Sequence, residues 1–117
     1  MGFYPSEDYP ICAIVPSAGV TEQVPVVVGA ALIVPVETKD YDSSNTDATF
    51  RGYLFGRLLG VAADSSVLAI GDAVYWDATN SCVTATADDN RMMGVAISAK
   101  ASTATTADVR IYPVLVA

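Results

Sequence analysis

The chain has 117 residues, a formal charge of −7 and a mean hydropathy of +0.41, which suits one domain that builds its own core without a disulfide or a metal. Lys and Glu together number five whereas Ser and Thr number nineteen, and this balance disfavours exposed helices and favours β-strands. The six basic residues form no positive stripe, so the composition argues against direct binding to nucleic acid.

Residues 1–10 combine two prolines and two acidic residues with three aromatic side chains. Proline disfavours regular structure at its own position and at the one before it. We therefore predict an extended N-terminal arm at 1–10, followed by a single β-domain at 11–117. The aromatic side chains of Phe3, Tyr4 and Tyr9 would be costly to leave in water. We expect them to dock, either on a neighbouring subunit or on the protein's own β-domain.

An apolar run extends over residues 24–36, after a short first strand at 11–15. The run is shorter than the roughly twenty residues needed to cross a bilayer, and it contains Pro25 and Pro35. We therefore predict two buried strands joined at Gly29, and no association with a membrane.

Residues 38–49 form the only long polar run and predict an exposed loop. Its acidic side chains alternate in the manner of a calcium-binding loop. An EF-hand frame starting at Asp40 fails, because it places Arg51 where the bidentate glutamate is required. A looser calcium site formed by Asp40, Asp42 and Asp47 is an alternative to a solvated acidic loop, and we predict no bound metal.

Apolar residues return over 50–60, where Gly52 and Gly56 predict a bulged or sharply bent strand. Further strands are predicted at 67–70, 73–76, 82–86 and 92–99. The last three are separated by short runs of turn residues, so we expect two successive β-hairpins.

Asp72 and Asp77 flank the strand that carries Tyr75 and Trp76. Paired carboxylates can hydrolyse glycosides, but Asp at a hairpin turn is explained by side-chain hydrogen bonds to nearby backbone. Tyr75 and Trp76 point to opposite faces of their strand. We expect one ring in the core and the other at the surface or at an interface.

The last predicted strand covers residues 108–116. Val109 and Ile111 share one face of it, whereas Arg110 lies on the other. Pro113 cannot donate to a ladder, which predicts an edge position or a bulge. The whole pattern indicates an all-β protein: a compact β-barrel or sandwich of about seven to nine short antiparallel strands.

The sequence contains no histidine, and it therefore lacks the commonest general base and the commonest metal ligand. No Ser–His or Cys–His pair can form, and no Gly-Lys-Ser/Thr run is present to cradle a phosphate. We predict no catalytic residues, no cofactor and no enzymatic activity. Cys12 and Cys82 are more typical of small buried side chains than of a disulfide, and whether they pair stays open.

Residues 71–114 read GDAVYWDATNSCVTATADDNRMMGVAISAKASTATTADVRIYPV. A Gly-Asp turn leads to a Val-Tyr-x-Asp strand, a Thr-rich hairpin, a Gly-Val-Ala strand, a small-residue loop and a terminal strand with alternating Val and Arg. In this order of motifs the segment resembles the C-terminal half of the small capsid cement proteins, also called head decoration proteins, of tailed bacteriophages and prophages.

The resemblance implies a non-enzymatic homotrimer, made in the host cytoplasm, whose partner is the major capsid protein. Such a protein would bind the outer surface of the assembled icosahedral head between capsomers and stabilise it against internal DNA pressure. The candidate interface residues are Phe3, Tyr4, Tyr9 and Trp76. The alternatives are another virion component, such as a head-fibre base or a tail protein, and a carbohydrate-binding β-module that uses Trp76 or Tyr75.

Overall fold

The computed structural model describes residues 2–5, 11–29 and 31–112, and within them it contains ten β-strands and no helix. The strands are β1 (Gly2–Pro5), β2 (Ile11–Ile14), β3 (Val26–Val28), β4 (Ala31–Pro35), β5 (Thr49–Tyr53), β6 (Gly56–Ala62), β7 (Ala73–Asp77), β8 (Cys82–Thr84), β9 (Arg91–Ala96) and β10 (Thr106–Ile111). The all-β prediction is confirmed, with ten described strands where about seven to nine were expected. Within these ranges no helix has the length and apolarity that a membrane crossing needs.

The strands form two antiparallel sheets. The large sheet has the order β1-β6-β10-β9-β7-β8, and the small sheet has the order β2-β5-β4-β3. An isolated parallel bridge between Ala63 and Val83 brings the chain that follows β6 back to β8. The large sheet therefore curls upon itself in the manner of a small barrel.

Strand β4 of the small sheet contributes side chains to two hydrophobic clusters. Leu32 and Val34 belong to the cluster enclosed by the large sheet, whereas Ile33 belongs to a second cluster with Phe50. Residues Leu32 to Pro35 are buried on both faces, which explains why this part of the sequence shows no polar alternation. Two strands do flank Gly29, because β3 pairs with β4 and Gly29 adopts a φ of 59°. The prediction that both are buried is wrong for β3, an edge strand whose Val27 is 36% exposed.

The apolar segment 50–60 divides between the two sheets. β5 belongs to the small sheet and β6 to the large one, so the predicted bent strand is two strands with the bend between them. A Cβ atom at Gly52 would lie 2.8 Å from the carbonyl oxygen of Val34. Glycine is therefore required for β5 to approach β4 this closely.

The prediction of a second hairpin, between β8 and β9, is wrong. β7 and β8 form the first hairpin, but β9 pairs with β7 on the opposite side instead of pairing with β8. The free side of β8 is already occupied, because the Asp64 amide donates to the Val83 carbonyl oxygen at 3.0 Å. The chain after β8 therefore crosses to the far edge of β7.

Other predicted elements also differ from the structure. Residues 67–70 form a loop held by a single bridge between Leu68 and Lys100, so the predicted strand is absent. β10 lies between β6 and β9 and not at an edge, while Pro113 lies outside the described residues. At the N-terminus Gly2–Pro5 pairs with β6, so the first part of the predicted arm is a regular edge strand.

Candidate functional site

An aromatic and cationic row crosses the outer face of the large sheet. Tyr4 pairs with Arg57 across β1 and β6, and Arg57 pairs with Arg110 across β6 and β10. The Arg57 guanidinium lies 5.1 Å from the centre of the Tyr4 ring, and that of Arg110 lies 5.9 Å from the centre of the Tyr112 ring, both within cation–π range. Tyr4 is 51% exposed and Tyr112 is 46% exposed. We call these four side chains the Tyr–Arg row.

The strand alternation that creates this row also places Phe3 inside. Phe3 packs against the core of the large sheet, and its ring centre lies 6.1 Å from that of Tyr53. Of the expected interface residues in the arm, Phe3 therefore contacts the protein's own domain and Tyr4 faces outward. Tyr9 lies outside the described residues.

An apolar tip projects from the loop between β6 and β7. Ile70 is 73% exposed and Val67 is 67% exposed, while Leu68 between them is buried and exchanges two backbone hydrogen bonds with Lys100, at 3.0 and 2.8 Å. We call residues 66–70 the apolar tip. The sequence predicted a strand here, and its apolar character gave no sign that two of its side chains face solvent.

A buried lysine holds the tip in place. Lys100 is 5% exposed, and its Nζ donates to the carbonyl oxygens of Ser66 at 2.6 Å and of Ala101 at 3.1 Å. The Asp72 carboxylate accepts a hydrogen bond from the Ala69 amide at 2.8 Å. The tip is thus fixed from both sides, which lowers the entropy that a partner must remove on binding.

Asp64 also stabilises this loop, because its carboxylate accepts a hydrogen bond from the Ser66 amide. Partial burial raises the pKa of its carboxyl, but hydrogen bonds from Ser66 and Thr84 outweigh that effect, and together with the charge of Lys100 they lower the pKa below its ordinary value. Asp64 is therefore ionised near neutral pH and complements the positive charge of Lys100.

The polar segment between β4 and β5 is exposed from residue 38 to residue 47, as predicted. The Asp42 carboxylate accepts hydrogen bonds from both the amide and the hydroxyl of Ser44, at 2.9 and 2.6 Å, and these bonds lower its pKa. No group of three His, Cys, Asp or Glu residues converges among the residues that the structure describes. Asp40, Asp42 and Asp47 are therefore not gathered into a calcium site, and we call residues 38–48 the acidic loop.

Glu37 at the start of this segment forms ion pairs with two nearby cations. Its Oε2 accepts hydrogen bonds from the Arg51 amide at 2.9 Å and from Arg51 Nε at 3.3 Å. The hydrogen bond from the Arg51 backbone amide is the largest cause of the lowered pKa of Glu37. Lys39 Nζ lies 4.0 Å from the other carboxylate oxygen.

Trp76 is a core residue in the single chain. It is 3% exposed and lies among the large-sheet cluster, so its ring offers almost no surface to a protein partner or a sugar. Tyr75 on the opposite face is half-buried. Asp77 stabilises its own turn, because its carboxylate accepts hydrogen bonds from Thr79 and Asn80 that lower its pKa.

The two cysteines are not bonded to each other. Cys12 is exposed on β2, and Cys82 is half-buried at the start of β8. Burial raises the pKa of the Cys82 thiol, and the negative charges of Asp64 and Asp77 raise it further. A thiol of this kind stays protonated near neutral pH and is a poor nucleophile.

Comparison with known proteins adds one finding to this geometry. A family model described as a phage cement protein matches residues 7–111, whereas no curated protein and no solved structure matches the chain. The matched residues include the acidic loop, the apolar tip and both arginines of the Tyr–Arg row. A phage cement protein is a structural component of the virion that binds the capsid. The chain therefore belongs to the phage cement protein family.

Proposed function

We propose that this protein is a non-enzymatic homotrimer that binds the outer surface of the assembled icosahedral head between capsomers. Bound there, it holds neighbouring copies of the major capsid protein together against the pressure of the packaged DNA. The observation that carries the proposal is the apolar tip, which displays two apolar side chains on a support of buried hydrogen bonds.

The construction of the tip favours adhesion. When a partner covers Val67 and Ile70, the binding free energy becomes more favourable by roughly 25 cal/mol for each Å² of apolar surface removed from water. Because Lys100 and Asp72 already fix the loop, little of this gain is lost to ordering on binding. The sheets beneath the tip serve as its rigid base.

The charge of the chain favours the outer surface. A formal charge of −7 repels packaged DNA, so a position facing the genome would be disfavoured. A position outside the shell requires only protein contacts. Among the described arm residues, Tyr4 on β1 is the aromatic side chain with surface to offer in such a contact, because it is half exposed.

A trimer also multiplies weak contacts. Three linked copies that engage together bind more tightly than one copy, by on the order of 100- to 10,000-fold when the geometry allows it. A small interface on each copy is then sufficient for stable decoration of a head.

The test is co-sedimentation of the protein with heads of its phage that lack it. We expect the wild-type chain to bind and to raise the temperature at which the heads release DNA. The double variant V67S/I70S should bind at least about tenfold more weakly, because each copy loses its apolar contact.

The matched control is Ile14→Ser, which removes an apolar side chain that is 55% exposed on β2 and should leave binding unchanged. If the wild-type chain fails to bind heads, the capsid role is refuted. If V67S/I70S binds like the wild type, the tip is not the contact.

A further inference from the structure

The outer face of the large sheet presents positive charge in this otherwise acidic protein. Arg57 and Arg110 are directly opposite each other in the large sheet. Arg57 is exposed, whereas the exposed Lys39 and Arg51 face Glu37; Arg91 and Arg110 are partly buried and Lys100 is buried. Like charges directly opposite each other destabilise a sheet, and sequences break such local rules mainly at functional sites. The Tyr–Arg row is therefore a candidate docking surface for an acidic group.

The acidic loop has the complementary chemistry. Tyr41, which is 41% exposed, stands between the exposed carboxylates of Asp40 and Asp42. Asp40 makes no hydrogen bond or ion pair within the part of the chain that the structure describes. A carboxylate beside a tyrosine matches an arginine beside a tyrosine, since guanidinium groups pair with carboxylates and stack on aromatic rings.

Among the described residues of one copy, no ion pair joins Arg57 to Asp40. The acidic loop ends where β5 begins, and Arg57 comes after β5 has ended. Each surface is thus available to a different copy. Contacts between unlike surfaces of identical chains close into rings when the rotation allows it.

We propose that the segment Asp40-Tyr41-Asp42 of one copy docks head to tail on the Tyr–Arg row of a second copy. Arg57 pairs with the Asp40 carboxylate, and Tyr41 packs against the exposed ring of Tyr4. Arginine and tyrosine are the residue types that most often dominate protein interfaces. The inference rests on the self-association proposed above and assigns its two faces.

Sedimentation equilibrium of the full chain over a range of concentrations tests this docking. Arg57→Glu and Asp40→Lys should each weaken association at least about tenfold, because each places like charges in contact. The double variant R57E/D40K should recover most of the loss, since the pair is restored with its signs reversed. The matched control Asp89→Lys changes the net charge as Asp40→Lys does, at an exposed turn elsewhere, and should associate like the wild type.

Thermal unfolding of each variant confirms that it is folded, and Arg57→Gln replaces R57E if the latter does not fold. Association that survives both single reversals overturns the docking while self-association stands. A loss in R57E that Asp40→Lys does not share overturns the acidic loop as the occupant and points to another anion. A wild-type chain that is monomeric at every concentration overturns the self-association and this inference together.

Discussion

Lys100 determines the shape of the apolar tip. Its stem lies in the protein and its ammonium group donates to two loop carbonyls, so a residue type that is almost always exposed acts here as a buried clasp. The sequence could not predict this, because Lys100 stands beside a low-complexity loop and looks like an ordinary surface lysine. Its role depends on Leu68, which lies 32 positions earlier and forms a bridge with it.

We predict that Lys100→Met lowers the free energy of unfolding by about 1–3 kcal/mol. The substitution keeps the length of the side chain but removes the ammonium group, which leaves the carbonyl oxygens of Ser66 and Ala101 without this donor. Urea unfolding measures the change. Lys39→Met, at an exposed lysine, is the control and should stay within about 0.5 kcal/mol of the wild type. Equal stability of the two variants would show that the clasp contributes nothing.

β1 shows how one short strand serves two purposes. Its alternation sends Phe3 toward the core and Tyr4 toward solvent, and its pairing with β6 sets the start of the Tyr–Arg row. Prolines on the same stretch predicted an irregular arm. Pro5 is compatible with the strand because β1 lies at the edge of the large sheet and Pro5 is its last residue.

We predict opposite outcomes for two neighbouring substitutions in β1. Phe3→Ala should lower the free energy of unfolding by about 1–3 kcal/mol, because it removes apolar contacts with the core. Tyr4→Ala should change stability by no more than about 0.5 kcal/mol while weakening association between copies. Thermal unfolding measures the first effect and sedimentation equilibrium the second. Destabilisation by Tyr4→Ala and not by Phe3→Ala would mean that the strand faces the other way.

The sequence predicted the elements better than their partners. Turn residues are local signals, so the hairpin of β7 and β8 was found at nearly its true bounds. The position of β9 depends on β8 being occupied by the chain after β6, which no local pattern records. The Tyr–Arg row likewise needs three strands that are distant in sequence, β1, β6 and β10, to become neighbours. The sequence shows each of these residues separately, and only the pairing of the three strands shows that they are neighbours.

Strand β4 connects the two halves of the molecule, because its side chains contribute to both hydrophobic clusters. Leu32 and Ile33 are adjacent in sequence but pack into different clusters. Neither sheet can therefore lose its core without disturbing the strand that supports the other. This arrangement links the two sheets through a single strand.

We predict that the two sheets unfold together. Leu32→Ala and Ile33→Ala should each lower the free energy of unfolding by about 2–5 kcal/mol, and each should shift the same single transition. Calorimetry shows how many unfolding transitions occur. Chemical shifts or fluorescence signals assigned to each sheet follow the unfolding of the two sheets separately. Two separable transitions in either variant would show that the clusters are independent.

The curl of the large sheet is completed by one parallel bridge between Ala63 and Val83, whereas β10 is held by ladders on both sides. A force applied across the barrel would therefore separate the strands along this seam, the bridge between Ala63 and Val83, before it broke any full ladder. In the position proposed between capsomers, this seam is where the molecule would open first under tension.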